Sequence, residues 1–268
     1  MKLSEKYRPH CLADVIGQKR SVAILRGWMN SQHSACFMLQ GSPGIGKTSS
    51  ALAISEELGA RESYRLIPCS DFTVETARNE IKALALSPMF GSSKVKVLIL
   101  EELERLSPAC QQFLKVALEN LPRNSLVLGT SNDTSLIDPA LIQRFTVLQF
   151  GEGDEFRTSA NRKIAEIWET ESNGAPLPRD FKIWGVDTTG QFSFRLALDR
   201  LQQELTILQF SEPEEPAQEP AQELPPVEPQ RVKVRKSISL PQGAIGEGLR
   251  GFIRNRSEVS ATSAGGAP

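Results

Sequence analysis

No apolar run in the 268 residues reaches the length of a membrane-spanning helix. The opening residues MKLSEKYRPH also lack the apolar core of a secretion signal, so a protein of the cytoplasm is expected. Cysteine pairing is missing as well. Cys11, Cys36, Cys69 and Cys110 are scattered with no CxxC pair, which argues against a zinc site and fits free thiols in a reducing compartment. Nor is there an excess of either charge. The chain has 31 Lys and Arg against 32 Asp and Glu, a net charge of -1. Nothing global therefore calls for nucleic acid or a membrane surface, and any DNA contact has to come from a local patch. What is present is a 40% hydrophobic composition, enough for a sizeable core in a chain long enough for one large or two small domains.

The most informative stretch runs from Met38 to Leu58, MLQGSPGIGKTSSALAISEEL. Within it Gly41, Ser42, Pro43, Gly44, Ile45, Gly46, Lys47 and Thr48 fit G-x-x-x-x-G-K-[ST], a loop whose backbone N–H groups turn inward around a di- or triphosphate. In that pattern Lys47 reaches the β- and γ-phosphates and the Thr48 hydroxyl ligates Mg²⁺. The context agrees. An apolar strand, Cys36 to Leu39, runs into the loop, and a helix from Ser49 to Leu58 leaves it with the positive end of its dipole toward the anion.

Residues 1–150 alternate β-rich runs with helical stretches, the pattern of a parallel sheet covered by helices on both faces. Strands are expected at Ala35–Leu39, Tyr64–Ile67, Val95–Leu100, Ser125–Thr130 and Val147–Phe150. Helices are expected around Ser21–Ser31, Thr48–Leu58, Val74–Leu84, Pro108–Asn120 and Asp138–Gln143. From Asp154 to Phe210 the strand signal disappears. Asp154–Ser172 carries Phe156, Ala160, Ile164, Ile167 and Trp168 at mostly three- and four-residue spacing, and Phe192–Leu208 reads the same way, so residues 151–210 are expected to be a small helical domain. Beyond Phe210 the sequence becomes SEPEEPAQEPAQELPPVEPQ, an extended acidic linker over residues 211–230 that buries too little apolar surface to offset its ordering entropy. Residues 231–268 open with Arg231, Lys233, Arg235 and Lys236 and read as a flexible basic tail, either a solvated end or a short partner- or DNA-binding peptide.

A phosphate loop alone does not hydrolyse anything; a metal-orienting carboxylate and a group that positions water are also needed. Val97 to Leu100 is an apolar strand ending in Glu101 and Glu102, and carboxylates at that strand end lie beside the phosphate loop in a sheet of this kind. Glu101 is the candidate holder of Mg²⁺ through water, and Glu102 the candidate base for the attacking water. The competing reading is that the paired acids simply begin a solvated helix.

With these residues in place, the sequence resembles the AAA+ ATPases, and among them the small subunits of sliding-clamp loaders of the replication factor C type and related bacterial clamp-loader subunits. EKYRPHCLADVIGQ, Glu5 to Gln18, looks like the opening in which a Tyr-Arg-Pro turn with Arg8 and Pro9, and a following segment with Val15 and Ile16, wrap the adenine. Pro9 rigidifies such a turn, and Val15 and Ile16 offer apolar surface to a flat base. The resemblance makes the helix within Arg65 to Leu84 DNA-facing, with Arg78 and Lys82 four apart on one face toward phosphates. It makes Asn132 the sensor at the γ-phosphate or the water, Arg144 of DPALIQRF the arginine aimed at a neighbouring subunit's ATP, and Arg195 the sensor over the γ-phosphate of its own subunit.

The resemblance spans roughly residues 3–208 and implies a P-loop AAA+ α/β domain followed by a small all-α lid domain and a disordered tail. The implied function is an ATPase that uses ATP and Mg²⁺ to load a sliding clamp on primer-template DNA in the company of other clamp-loader subunits. Alternatives are a weakly hydrolysing nucleotide-dependent scaffold, or another DNA-remodelling AAA+ ATPase such as a Holliday-junction motor or helicase loader. Two departures bear on this. Glu101 stands where the family has aspartate, and Phe145 where its arginine motif has cysteine. A proline-rich linker and short tail also stand where the family has a helical collar domain, so any oligomer is expected to be held differently or by the tail.

Overall fold

The computed structural model describes residues 1–31, 33–60, 64–86 and 95–210. In chain order these form α1 (Leu3–Lys6), α2 (Lys19–Ser31), β1 (Ala35–Gln40), α3 (Lys47–Glu57), β2 (Arg65–Pro68), α4 (Val74–Leu86), β3 (Lys96–Glu101), α5 (Pro108–Glu119), β4 (Ser125–Ser131), α6 (Pro139–Ile142), β5 (Thr146–Gln149), α7 (Asp154–Glu171) and α8 (Phe194–Phe210). The five strands pair in parallel in the order β2-β3-β4-β1-β5. A parallel sheet needs cover on both faces, which is why its central strands read as unbroken apolar runs.

Alternate residues of each strand serve different cores. Phe37, Leu39, Val97, Ile99, Leu126 and Leu128 face a layer built by α2 and α3, with Leu25, Trp28, Ala51 and Ile54 buried against them. Met38, Leu98, Leu100 and Val127 face the opposite layer, where Ala77 and Leu84 of α4 meet Cys110, Leu114 and Leu118 of α5. Local signals set the helix starts. Ser107 caps α5 by accepting from the Cys110 N–H at 3.3 Å, with Pro108 in the first turn. Asp138 does the same for α6, accepting from the Ala140 N–H at 2.8 Å. Caps of this kind are worth about 1 kcal/mol each.

A third core belongs to the helices after the sheet. Ile164, Ile167 and Trp168 of α7 meet Trp184 and the buried face of α8, Ala197, Leu198, Leu201 and Leu205. Leu3 of α1 joins this core although it lies at the other end of the sequence, and its N–H donates to Gln202 Oε1 at 3.2 Å. Lys6 and Tyr7 both bond Glu171, so the N-terminal segment is strapped to the helical layer before it returns to the sheet. The apolar spacing of the chain carried no sign of a four-residue α1.

The expected strands all form, with ends shifted by a residue or so. Two expectations in the helical region are corrected. Val186 and Phe192 make an antiparallel bridge, so strand-like pairing is not absent there. The last helix begins at Phe194 rather than Phe192, because Ser193 Oγ accepts from the Leu196 N–H at 3.3 Å and ends the extended approach. The acidic segment 211–230 and the basic residues Arg231, Lys233, Arg235 and Lys236 lie outside the described residues. Among the described residues no helix is long and apolar enough to cross a membrane.

Candidate functional site

The register of the sheet brings three strand ends together. Gln40 of β1 lies opposite Ser131 of β4, and Leu100 of β3 opposite Gly129 of β4. The loop after β1, the acids at the end of β3 and the polar end of β4 therefore emerge side by side at the carboxyl edge of the sheet, where open α/β sheets bind ligands. A cavity of about 1050 Å³ opens there, lined by the loop Pro43–Gly46, the start of α3, Glu101, Glu102, Thr130 and Asn132. Its other walls are the N-terminal segment, with Arg8, Pro9, Val15 and Ile16, and the helical layer, with Arg195 and Leu198.

Lys47 opens α3 and is almost fully buried. Its ammonium donates to the carbonyls of Gly41 and Ser42, both at 2.7 Å, and to Asn132 Oδ1 at 2.8 Å. Burial pushes its pKa down to about 8; Glu104 opposes that shift and Arg195 adds to it by repulsion. Lys47 and Arg195 thus repel one another across the cavity, an arrangement that favours an anion between them. Next in the helix, the Thr48 hydroxyl donates to Glu101 Oε1 at 2.9 Å. A hydroxyl and a carboxylate side by side are the hard oxygen donors that suit Mg²⁺.

Glu102 follows in a left-handed backbone conformation, φ 59 and ψ 61. Its N–H donates to Thr130 Oγ1 at 3.1 Å, and its carboxylate lies 2.5 Å from Arg105 Nε. The first acid closes β3, and the second turns the chain into the one-turn helix Leu103–Arg105. Asn132 gives both its backbone N–H and its Nδ2 to Glu104 Oε1, at 3.0 and 2.9 Å.

Arg195 enters through an unusual junction. The N–H groups of Phe194 and Arg195 approach the Gly44 carbonyl at 3.1 and 3.4 Å, so the start of α8 sits on the backbone of the loop between β1 and α3. Gly44 has φ +77, and a Cβ there would overlap Ser193 Oγ. Only glycine suits both conditions.

Most of the residues picked from sequence meet around this cavity, including Lys47, Thr48, Ser49, Glu101, Glu102, Asn132 and Arg195. Gly41 and Ser42 do not line it: the Gly41 N–H donates to the Ser131 carbonyl at 3.1 Å, and both residues turn their carbonyls to Lys47. They hold the lysine rather than face the cavity. Arg144 lies elsewhere, its Nη2 2.7 Å from Glu119 Oε1. Arg78 and Lys82 are exposed on α4, Arg78 over the ring of Phe113 at 5.9 Å.

Sequence reading missed the α7 residues that line the cavity, Phe156, Ser159, Arg162, Lys163 and Glu166, while Tyr7 of the Tyr-Arg-Pro turn lines it beside Arg8 and Pro9. The three- and four-residue spacing on α7 was visible, but it runs along a helix chosen for its apolar side. Glu104 was also overlooked.

Residues 37–152 match the family described as "ATPase family associated with various cellular activities (AAA)". The chain is 28% identical over 150 residues to Replication factor C subunit 3 of Saccharomyces cerevisiae, which covers 54% of this chain and 44% of that protein. It is 28% identical over 211 residues to the Replication factor C small subunit of Methanocella arvoryzae, covering 76% of this chain and 63% of the relative. The chain thus spans less than two thirds of the length of these relatives. Among solved structures, a RuvB protein of Thermotoga maritima superposes with a TM-score of 0.59 at 18% identity, covering 76% of this chain and 66% of the other. That likeness is one of fold.

Proposed function

We propose that this chain, whose residues 37–152 match the AAA ATPase family, binds ATP in the cavity at the sheet edge, hydrolyses it, and works as a clamp-loader-type subunit on DNA. The observation that carries the nucleotide reading is the meeting of Lys47, Thr48, Glu101 and Asn132 in one cavity, with Lys47–Asn132 at 2.8 Å and Thr48–Glu101 at 2.9 Å. The clamp-loader reading is supported by similarity to replication factor C small subunits over as much as 76% of the chain.

In this reading the Lys47 ammonium and the N-terminal turn of α3 bind the phosphates, while Val15 and Ile16 supply apolar surface to the base. Thr48 and Glu101 hold Mg²⁺, which when bound supplies positive charge to the phosphate oxygens. Glu102 accepts a proton from the attacking water as the water oxygen bonds the terminal phosphorus and the bridging oxygen leaves with ADP. Asn132 and Arg195 donate to the oxygens on which charge develops. Arg144 serves a neighbouring subunit's nucleotide, and the exposed Arg78 and Lys82 meet DNA phosphates. The partners are other subunits of this class, a sliding clamp and primer-template DNA.

Calorimetry with ATP and Mg²⁺ tests the reading. Lys47→Ala removes the charge on the phosphates and is expected to weaken binding strongly, while Glu102→Gln is expected to bind as the parent does and to lose turnover. Unchanged affinity in Lys47→Ala would place the nucleotide elsewhere. A chain that turns over ATP but gains no rate from clamp and primed DNA would keep the ATPase and lose the clamp-loader assignment.

A further inference from the structure

A third carboxylate stands behind the cavity. The turn Leu103–Arg105 is pinned by Leu103, fully buried against β4 at Gly129, where a Cβ would overlap the leucine side chain. With Glu102 in a left-handed conformation ahead of it, the turn separates its two acids. Glu102 reaches Arg105 and the cavity; Glu104 reaches back to Asn132.

Glu104 Oε1 accepts from the Asn132 N–H at 3.0 Å and from Asn132 Nδ2 at 2.9 Å, while Lys47 Nζ donates to Asn132 Oδ1 at 2.8 Å. The Asn132 amide is therefore held between a carboxylate and an ammonium. Turned over, it would set its carbonyl against the carboxylate and its N–H bonds against the ammonium, so the two charges together fix its orientation. Of the two Nδ2 hydrogens, Glu104 takes one and leaves one to donate. The second oxygen, Glu104 Oε2, is buried with no hydrogen-bond partner among the described residues. Keeping a carboxylate oxygen in that state costs free energy, which a merely structural acceptor would not require.

We propose that Glu104 is a positioning residue for hydrolysis: it fixes the backbone and amide orientation of Asn132 so that the free Nδ2 hydrogen faces the terminal phosphate and the attacking water. The proposal rests on the nucleotide reading of the cavity. Lys47 is called to the phosphates in that reading, which leaves Glu104 alone to keep the amide from turning over. Glu104 does not line the cavity and acts through Asn132.

Two measurements on the full chain test this. In chain labelled with ¹⁵N-asparagine, without nucleotide, the Asn132 side-chain resonances, assigned by their loss in Asn132→Ala, are expected to shift in Glu104→Ala. In steady-state hydrolysis Glu104→Ala is expected to lower kcat by about 10- to 100-fold with little change in ATP affinity. The double variant with Asn132→Ala is expected to be no slower than Asn132→Ala alone. A Glu104→Ala chain that turns over at the parent rate while Asn132→Ala is slow overturns the proposal, as do losses that multiply in the double variant or an unmoved Asn132 resonance. Should Glu104→Ala unfold, Glu104→Gln decides: its amide can present either an acceptor or a donor to Asn132, so kcat and the Asn132 resonance are expected to change together, and a shifted resonance with a parent-like kcat overturns the proposal. If Asn132→Ala itself turns over normally, Asn132 has no part in hydrolysis and the proposal falls while the nucleotide reading stands; if the chain binds no ATP, the nucleotide reading fails and the role of Glu104 falls with it.

Discussion

The N–H of Phe194 donates to the carbonyl of Gly44 at 3.1 Å, so the last helix of the described chain starts on the backbone of the loop between β1 and α3. Leu198 and Leu201 of the same helix belong to the helical core, so that loop and that core share one element. Gly44→Ala tests this junction. Its φ of +77 is strained for alanine, and the new Cβ would overlap Ser193 Oγ. The expected outcome is a lower unfolding midpoint and weaker nucleotide binding. Adding Ser193→Ala removes the overlap but leaves the dihedral strain, so recovery is expected to be partial. Full recovery would mean the backbone conformation at Gly44 is of no consequence.

Lys47 links binding to pH. Burial, ahead of the opposing charge of Glu104, brings its pKa down to about 8, whereas an ammonium held by phosphates keeps its proton well above that. Below pH 8 the ammonium is already formed and binding takes up no proton. Above it, binding takes up about one proton, so affinity is expected to fall as pH rises through 8 and beyond, by up to about tenfold per pH unit. Titrations in two buffers of different ionisation heat measure that uptake directly. In Lys47→Ala both the uptake and the pH slope are expected to vanish.

The fold was largely legible because its signals were redundant. The strands that became β1, β3 and β4 are apolar on both faces, and only a parallel sheet covered twice satisfies that. Lys47, Thr48, Glu101 and Glu102 were legible because each ends or begins an element, and such ends meet at one edge of the sheet. Glu104 was not, because nothing in a row of acids distinguishes the one whose turn points inward. That direction depends on the left-handed backbone at Glu102 and on Leu103 packing against Gly129, which lies far away in the chain. The contact of Leu3 with α8 was equally hidden, since a four-residue helix carries no periodicity.

Glu101 stands one methylene longer than the aspartate of the related pattern, and its Oε1 already meets the Thr48 hydroxyl at 2.9 Å. Glu101→Gln keeps an acceptor for Thr48 and loses the charge, so the chain is expected to fold normally and to need about tenfold more Mg²⁺ for half-maximal hydrolysis. A magnesium titration of turnover reads this. An unchanged midpoint would remove Glu101 from the metal site.

Arg78 and Lys82 are exposed one turn apart on α4, with the guanidinium of Arg78 over the Phe113 ring. The ring limits the freedom of Arg78, so less order is lost when it meets a phosphate. Neutralising both is expected to weaken binding to primed DNA evenly across sequences and to lower the slope of log affinity against log salt by about two. Fluorescence anisotropy at several salt concentrations measures that slope. If it does not change, α4 presents a solvated face.

Arg144 is proposed to act on a neighbour's nucleotide, yet it is held within its own chain, its Nη2 2.7 Å from Glu119 Oε1. Its Nε is buried with no hydrogen-bond partner among the described residues. The pair is about half exposed on the Glu119 side and contributes little to stability. Its consequence is one of placement, because α5 sets where the guanidinium points. Arg144→Ala is expected to leave ATP binding by the dilute chain intact and to remove the rate gained on assembly with partner subunits, clamp and DNA. Arginines that act across an interface are worth about 10³ to 10⁵ in rate, so even a partial effect is measurable. Glu119→Gln keeps an acceptor without the charge and is expected to lose far less than Arg144→Ala. Mixing separates the roles: a chain with intact Arg144 and Lys47→Ala is expected to restore hydrolysis to an Arg144→Ala partner. Absence of rescue between chains shown to associate would return Arg144 to the surface of its own subunit.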